Sequence, residues 1–406
     1  MNIYILKFVA AMTNIFVISY VVAYLPNALS ADYMLVLAYT VLGTIIAGLG
    51  VEVSIERYAT ALLARTSTLH LVLLIGVISL VRTVLLLVIN EAINAWYTPL
   101  IEPDLITVSF VFCSCFFLTL AATLNGVYMY ISSATANVIR GVSRLPIAVL
   151  PVTKITLPLL LSIEVAAATI AAGYCLSRFI NYRPDKVRLN TPMRTIINFM
   201  AWNWIARLTS NLSALNTVKI LVLRSDDSSA VMVAYIIQLA QSVENFSPSK
   251  VLAGRYRPAL ARLYDKGEVK LLRDELAKLA QYNIAISIVI FLGFTLCVTF
   301  VFYQFMPEKP ANFFLIISTC AAIIFILNAV NSLNIVSNVI EESHTIFLSS
   351  LVMGLCFIAG VLIYGSNKPD TVLCTLFLST LIYFPVWFSM SRFKLSKALN
   401  AREGPA

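Results

Sequence analysis

Long apolar runs recur along the whole chain, each close to the length that an α-helix needs to cross a hydrocarbon core. They constrain the fold more than any other feature. Backbone groups in lipid must hydrogen-bond internally, so the choice is between helices and a closed barrel. Barrel strands would be short and strictly alternating, whereas these runs are long and continuous. Composition agrees: of 406 residues, 60% are hydrophobic and 12% charged, against roughly 25% charged in a soluble domain. So little charge cannot cover a globular surface in water. The pattern predicts an all-α polytopic membrane protein with about twelve transmembrane helices.

In the first half the runs fall over Tyr4–Leu25, Tyr33–Ile55, Leu69–Ile89, Leu105–Ser132, Asn137–Leu159 and Ser162–Ile180. Those of the second half are Thr195–Val222, Ala230–Val251, Leu276–Tyr303, Asn312–Asn338, Thr345–Tyr364 and Thr371–Met390. Pro146, Pro151 and Pro158 interrupt the fifth; each frees a carbonyl that something nearby must satisfy. The first run, followed by Ala28-Leu29-Ser30-Ala31, also has the outline of a cleaved signal peptide. An internal repeat speaks for keeping it as a span. Arg57-Tyr58-Ala59-Thr60-Ala61-Leu62 follows the second run, and Arg255-Tyr256-Arg257-Pro258-Ala259-Leu260 follows the eighth. Upstream, Ala38-Tyr39 is echoed by Ala234-Tyr235. Two parallel six-helix lobes, residues 1–192 and 193–406, are therefore expected around a central cavity.

Basic residues crowd one side of this layout. Lys7, Arg57, Arg65, Arg140, Arg144, the group Arg178–Arg194, the series Lys250–Lys278 and the tail from Arg392 to Arg402 all lie there. Lys309 and Lys368 are the exceptions. The asymmetry predicts cytoplasmic termini and an even number of spans. It also accounts for the net charge of +9 without nucleic acid as a partner. The loop Gly254–Lys278 sets leucines among its bases and reads as a helix on the anionic leaflet or a solvated linker.

Ionisable groups inside spans mark functional sites by default. The embedded bases are Arg82, Arg140, Arg144, Lys154, Arg207 and Lys219, and the acids are Glu52, Glu164 and Glu244. The excess of bases suits an anionic substrate. Arg82, Arg144, Lys154, Arg207 and Lys219 are the candidate cationic contacts, and the three glutamates are candidates for ion coupling. Snorkelling to the interface is the competing reading for Arg140, Arg144, Lys219 and Glu52. Asn203, Arg207 and Asn211 share one face of the seventh run, with Ser210 beside them. Gln238, Gln241 and Asn245 mark the eighth, and Asn328, Asn331, Asn334 and Asn338 the tenth. Such amides either hold helices together or line a hydrated path that bonds sugar hydroxyls. Trp202, Trp204 and Tyr235 are candidates to stack on sugar faces. The seven cysteines all lie in apolar runs, and no disulfide, metal or cofactor is expected. Neither a phosphate loop nor an H-E-x-x-H or G-x-S-x-G pattern occurs, so a catalytic role is not expected.

Several stretches resemble one family. They are Ser30-Ala31-Asp32-Tyr33, Gly48-Leu49-Gly50-Val51 and Glu56-Arg57-Tyr58-Ala59 in the first half. In the second half they are Lys219-Ile220-Leu221-Val222-Leu223, Ala234-Tyr235, Pro258-Ala259-Leu260-Ala261-Arg262-Leu263-Tyr264 and Gly267-Glu268. Together with the helix count and the repeat, they are similar to Wzx-type oligosaccharide flippases of the multidrug/oligosaccharidyl-lipid/polysaccharide (MOP) exporter superfamily. That resemblance implies movement of undecaprenyl-pyrophosphate-linked O-antigen or polysaccharide units across the bacterial inner membrane by alternating access. It also implies an O-antigen polymerase and a chain-length regulator as partners. Many relatives have an acid where Thr217-Val218-Lys219 stands here, so no coupling role is carried over to that position. The competing readings are a multidrug or other exporter of the same superfamily, and a membrane polymerase or ligase.

Overall fold

The computed structural model describes residues 3–63, 66–94, 104–182, 192–225, 227–244, 260, 263–264, 266–305, 312–339, 343–365 and 368–403. The chain divides into two compact units, Met1–Trp204 and Ile205–Ala406. The boundary thus falls within a helix, later than the connection between residues 192 and 193.

The first unit contains α1 (Ile3–Tyr24), α2 (Asn27–Ile46), α3 (Val51–Leu63), α4 (Thr68–Asn94), α5 (Leu105–Gly126), α6 (Tyr130–Val142) and α7 (Leu157–Ile180). Helix α8 (Met193–Asn211) crosses the boundary. The second unit continues with α9 (Leu215–Leu223), α10 (Ala230–Glu244), α11 (Val269–Phe305), α12 (Phe313–Val339), α13 (Ser343–Tyr364) and α14 (Pro369–Glu403).

Among the described residues, eight helices are long and apolar enough to cross a bilayer: α1, α2, α4, α5, α7, α11, α13 and α14. Ala230–Val243 in α10 and Phe313–Asn328 in α12 are shorter apolar stretches. The fifth and seventh expected spans are not among these helices, and neither run is one continuous helix. The chain is an all-α, multi-pass membrane protein.

Four expected spans are broken: the second, the fourth (at residues 127–129, between α5 and α6), the fifth and the seventh. The second divides at Ala47–Gly50 into α2 and α3, where Leu49 (φ 49°) and Gly50 (φ 71°) are left-handed. Glycine adopts this conformation without a Cβ clash. Gly50 is needed for space as well, because a Cβ there would lie 2.3 Å from the Met200 carbonyl oxygen of α8. The fifth, expected as Asn137–Leu159, is the short α6 followed by 3₁₀ turns over Leu145–Ala148 and Val152–Lys154. Pro146 and Pro151 lack the amide protons that a continued helix would use. The seventh divides at residues 212–214 into α8 and α9, with no proline or glycine to announce it.

Side chains sort by face as a lipid solvent requires. Helix α4 turns Leu73, Val77, Leu80, Val84 and Val88 outward, while Arg82 and Ser79 point inward. Helix α11 turns Ile284, Ile288, Leu292 and Leu296 outward and keeps Asn283 and Ser287 fully buried. Without water to drive apolar groups together, packing and polar contacts hold such helices. In the first unit the core joins α3, α4, α5 and α7 through Ile55, Ala59, Ile75, Phe117, Leu124 and Cys175. In the second, α12 packs against α11 and α14, and α9 against α10 and α14. Leu260, Val269, Leu272 and Leu279 form a small apolar cluster where the basic loop leads into α11. Most of residues 254–265 lies outside the described set.

Candidate functional site

Among the described residues, three clusters hold Arg82, Arg144 and Lys219, two of them in the first unit and one in the second. Arg82 forms the first. It is 1% exposed and makes an ion pair with Glu52. Its Nη1 donates to Thr119 Oγ1 (2.9 Å) and its Nη2 to the Thr44 carbonyl (2.6 Å). Thr44 lies in the last turn of α2 and Glu52 in the first turn of α3. One guanidinium therefore caps a carbonyl freed by the break and holds the carboxylate beyond it. Trp204 Nε1 donates to the Ile46 carbonyl (2.7 Å), capping another orphan. Trp204, a candidate to stack on a sugar, thus has its indole N–H bonded at the helix break.

Arg144 forms the second cluster, just beyond α6. Its Nε donates to Glu164 Oε1 of α7 (2.5 Å), its Nη1 to Asn14 Oδ1 of α1 (2.5 Å) and its Nη2 to the Tyr33 hydroxyl of α2 (3.1 Å). Tyr33 in turn donates to Glu164 Oε1 (2.5 Å). Glu164 is 1% exposed, and its Oε2 has no partner. Local packing explains the meeting. Gly141 lets α6 touch α1, since a Cβ there would lie 2.2 Å from Thr13 Oγ1. The Tyr20 hydroxyl donates to the Leu150 carbonyl (3.2 Å), tying the irregular segment to α1. Arg140 is half-buried and sits over the Phe117 ring at 5.2 Å. Snorkelling does not describe Arg144: it turns inward to a carboxylate.

Lys154 departs from expectation. The fifth span is not helical at that position, and Lys154 lies exposed in the second 3₁₀ turn.

Lys219 centres the third cluster. It is 2% exposed, and its Nζ donates to the side-chain oxygens of Gln238 and Gln241, the latter at 3.2 Å. Gln241 Nε2 donates to Asn216 Oδ1 (2.9 Å). Helices α9 and α10 thus enclose an amine with carboxamides.

The other polar candidates vary. Asn203 Nδ2 donates to the Phe199 carbonyl (2.9 Å) and Asn211 Nδ2 to the Arg207 carbonyl (2.6 Å), so both amides turn back on their own helix. Arg207 itself is half-buried and has contacts of its own. Tyr235 is fully buried against Phe302, with ring centroids 5.8 Å apart, while Trp202 is exposed. Asn328 is fully buried, and its backbone carbonyl accepts from Asn283 Nδ2. The side chains of Asn331, Asn334, Asn338 and Glu244, and all of Asn245, lie outside the described residues.

Sequence reasoning missed Asn14, Tyr33, Asn216 and Asn283. Asn14 and Tyr33 are lone polar residues on apolar faces, a weak signal taken one at a time. Asn216 precedes Lys219 by one turn and was open to notice.

No family model and no curated protein matches the chain. Solved structures do. A multidrug resistance MATE family transporter of the MOP superfamily, in an outward-facing conformation, is 12% identical; the match covers 98% of this chain and 97% of that one, with a TM-score of 0.70. A MOP superfamily transporter from Pyrococcus furiosus, whose binding pocket has a reverse polarity that suggests a different function, is 13% identical over 98% and 94%, also at 0.70. A MATE transporter from Vibrio cholerae is 14% identical over 97% and 95%, at 0.67. The chain has the fold of these transporters along nearly its whole length.

Proposed function

We propose that this protein is a secondary transporter that flips an anionic lipid-linked oligosaccharide from the inner to the outer leaflet of the bacterial inner membrane. The observation that carries the transport reading is the end-to-end fold likeness to MOP superfamily transporters. Both termini are cytoplasmic in this reading, and the two lobes alternate in access. The substrate is an undecaprenyl-pyrophosphate-linked O-antigen or polysaccharide unit, and a polymerase and chain-length regulator act on what is delivered. Two features support an anionic cargo: the excess of embedded bases, and the family resemblance of the motif stretches.

Arg82 and Arg144 each share a carboxylate, which leaves less of their charge for a substrate. Arg207, half-buried on α8, is assigned to the pyrophosphate because its planar fork suits bidentate binding of phosphate oxygens. Amides and hydroxyls of the second unit would bond the sugars.

The test is complementation of a bacterium that lacks its own O-antigen flippase. Surface polysaccharide should return, and lipid-linked units should cease to accumulate on the inner leaflet. R207K should keep part of this activity, whereas R207A should abolish it with normal membrane insertion. An undiminished R207A would remove Arg207 from the site. A well-inserted protein that restores no polysaccharide but lowers the uptake of a cationic dye would favour the multidrug reading.

A further inference from the structure

We propose that Lys219 is the proton-exchanging group of the second unit, releasing and regaining one Nζ proton in each transport cycle. The inference rests on the reading that the chain is an ion-coupled transporter, and it names the coupling residue. Sequence logic assigns coupling to carboxyls, but the structure ties Glu52 to Arg82 and Glu164 to Arg144. Moving a proton onto either carboxylate strands a buried guanidinium, which keeps its own proton under all ordinary conditions.

Lys219 is arranged differently. Its partners are Gln238 and Gln241, neutral carboxamides on a neighbouring helix, and Asn216 buttresses Gln241. Among the described residues no carboxylate forms an ion pair with it. A carboxamide can turn over and offer N–H where it offered oxygen. Gln238 can therefore accept from the ammonium in one state and donate to the lone pair of the neutral amine in the other. Both states of the lysine keep hydrogen-bond partners, which an ion pair could not allow.

The ionisable groups on the elements packed against α9 are few. Helix α9 packs against α10 and α14. On α10 the ionisable residues are Tyr235 and Glu244; the Glu244 side chain lies outside the described residues. On α14 they are Asp370, Cys374, Tyr383, Arg392 and the charged tail beyond it, and Arg224 caps α9. Among the described groups, none acts electrostatically on Lys219.

The step involves no bond except N–H. The ammonium gives its proton to a water molecule admitted from one side of the membrane, leaving a neutral amine and a hydronium ion. A hydronium ion from the other side restores the ammonium.

The full chain, labelled with ¹⁵N-lysine and reconstituted in liposomes, allows a direct test by solid-state NMR. The Nζ resonance that is absent from both K219R and K219Q should titrate as a single proton between about pH 5 and 9. Transport is read in the same liposomes with fluorescent undecaprenyl-pyrophosphate-linked N-acetylglucosamine. K219R, which cannot cycle its proton, should lose pH-gradient-driven movement of this probe by roughly tenfold or more, and any movement that remains should no longer respond to the gradient. K219Q should do the same, and it covers the case in which the bulkier arginine fails to fit. An Nζ resonance that stays at its ammonium position throughout would overturn the proposal, as would gradient-driven transport by either variant at the wild-type rate. A titrating Nζ in a protein that never moves the probe would sink the substrate reading and leave the proton site standing.

Discussion

The two units handle buried positive charge in opposite ways. In the first, Arg82 and Arg144 are guanidiniums, each set against a carboxylate and further oxygen acceptors drawn from separate helices. In the second, Lys219 is an amine enclosed by amides. The side-chain chemistry explains the difference. A guanidinium does not give up its proton in a protein, so a buried one needs a permanent counter-charge. An amine has a neutral form and can be held by groups that serve as acceptor or donor. The first arrangement locks helices together, whereas the second leaves a charge free to change. The arginines also sit where the backbone is irregular, at the α2–α3 break and just past α6, and each spends donors on the elements that meet there.

That contrast can be broken most severely at Arg144. Removing its partner with E164A leaves a guanidinium without its counter-charge, and should destabilise the protein in detergent by about 3–5 kcal/mol. The double variant R144M/E164L, which removes both charges, should recover most of that loss. Thermal unfolding followed by tryptophan fluorescence would check both, and a double variant no better than E164A would mean that the pair does more than balance charge.

A smaller effect is expected at the helix break. In G50A a Cβ would meet the Met200 carbonyl at 2.3 Å on left-handed backbone, so a loss of about 1–3 kcal/mol is expected. L49G relieves a left-handed leucine and should be neutral or slightly stabilising by the same assay. Equal losses in the two variants would show that the break depends on the Leu49 side chain rather than on backbone freedom.

Smaller still is the cost at Lys219. K219M replaces a charge that has only neutral partners by an apolar chain of similar length, and should shift stability by less than about 1.5 kcal/mol. A loss as large as that of E164A would erase the distinction between the two units and expose a hidden ion pair.

The smallest effect lies outside the membrane. Hydrogen bonds from the Ser229 hydroxyl and then its backbone N–H, aided by Lys368, hold the Asp227 carboxyl below its ordinary range. A lowered acid contributes stability above its unfolded pKa and loses it as pH falls through the folded one. D227N should therefore lower the melting temperature slightly at neutral pH and leave it unchanged at strongly acid pH. An equal difference at both would assign the effect to something other than charge.

Much of the architecture was legible without coordinates. Among the described residues, apolar length alone placed eight of the twelve expected spans, because lipid leaves an isolated backbone no alternative to the helix. Proline announced the irregular fifth span, and Gly48-Leu49-Gly50 sits at the break of the second. The break at residues 212–214 carries no such mark, since neither proline nor glycine stands there. Arg82, Arg144 and Lys219 were found as embedded charges for the same reason as the spans: each is an expensive residue in an apolar run. Lys154 was read as part of a continuous helix, whereas the structure puts it in a 3₁₀ turn.

The amino-acid sequence determined that this chain lives in a membrane, that it is helical, and which polar residues cannot face lipid. Only the tertiary structure decided which partner each of them meets. Helical periodicity assigns a residue to a face, but it carries no information on which distant helix will cover that face. Arg144 bonds Asn14 across 130 positions of sequence and Tyr33 across 111, while Lys219 reaches amides instead of an acid. A counter-charge and an amide look alike to a period of 3.6 residues; the packing of helices settles which one arrives, and with it whether a buried charge is locked or free to change.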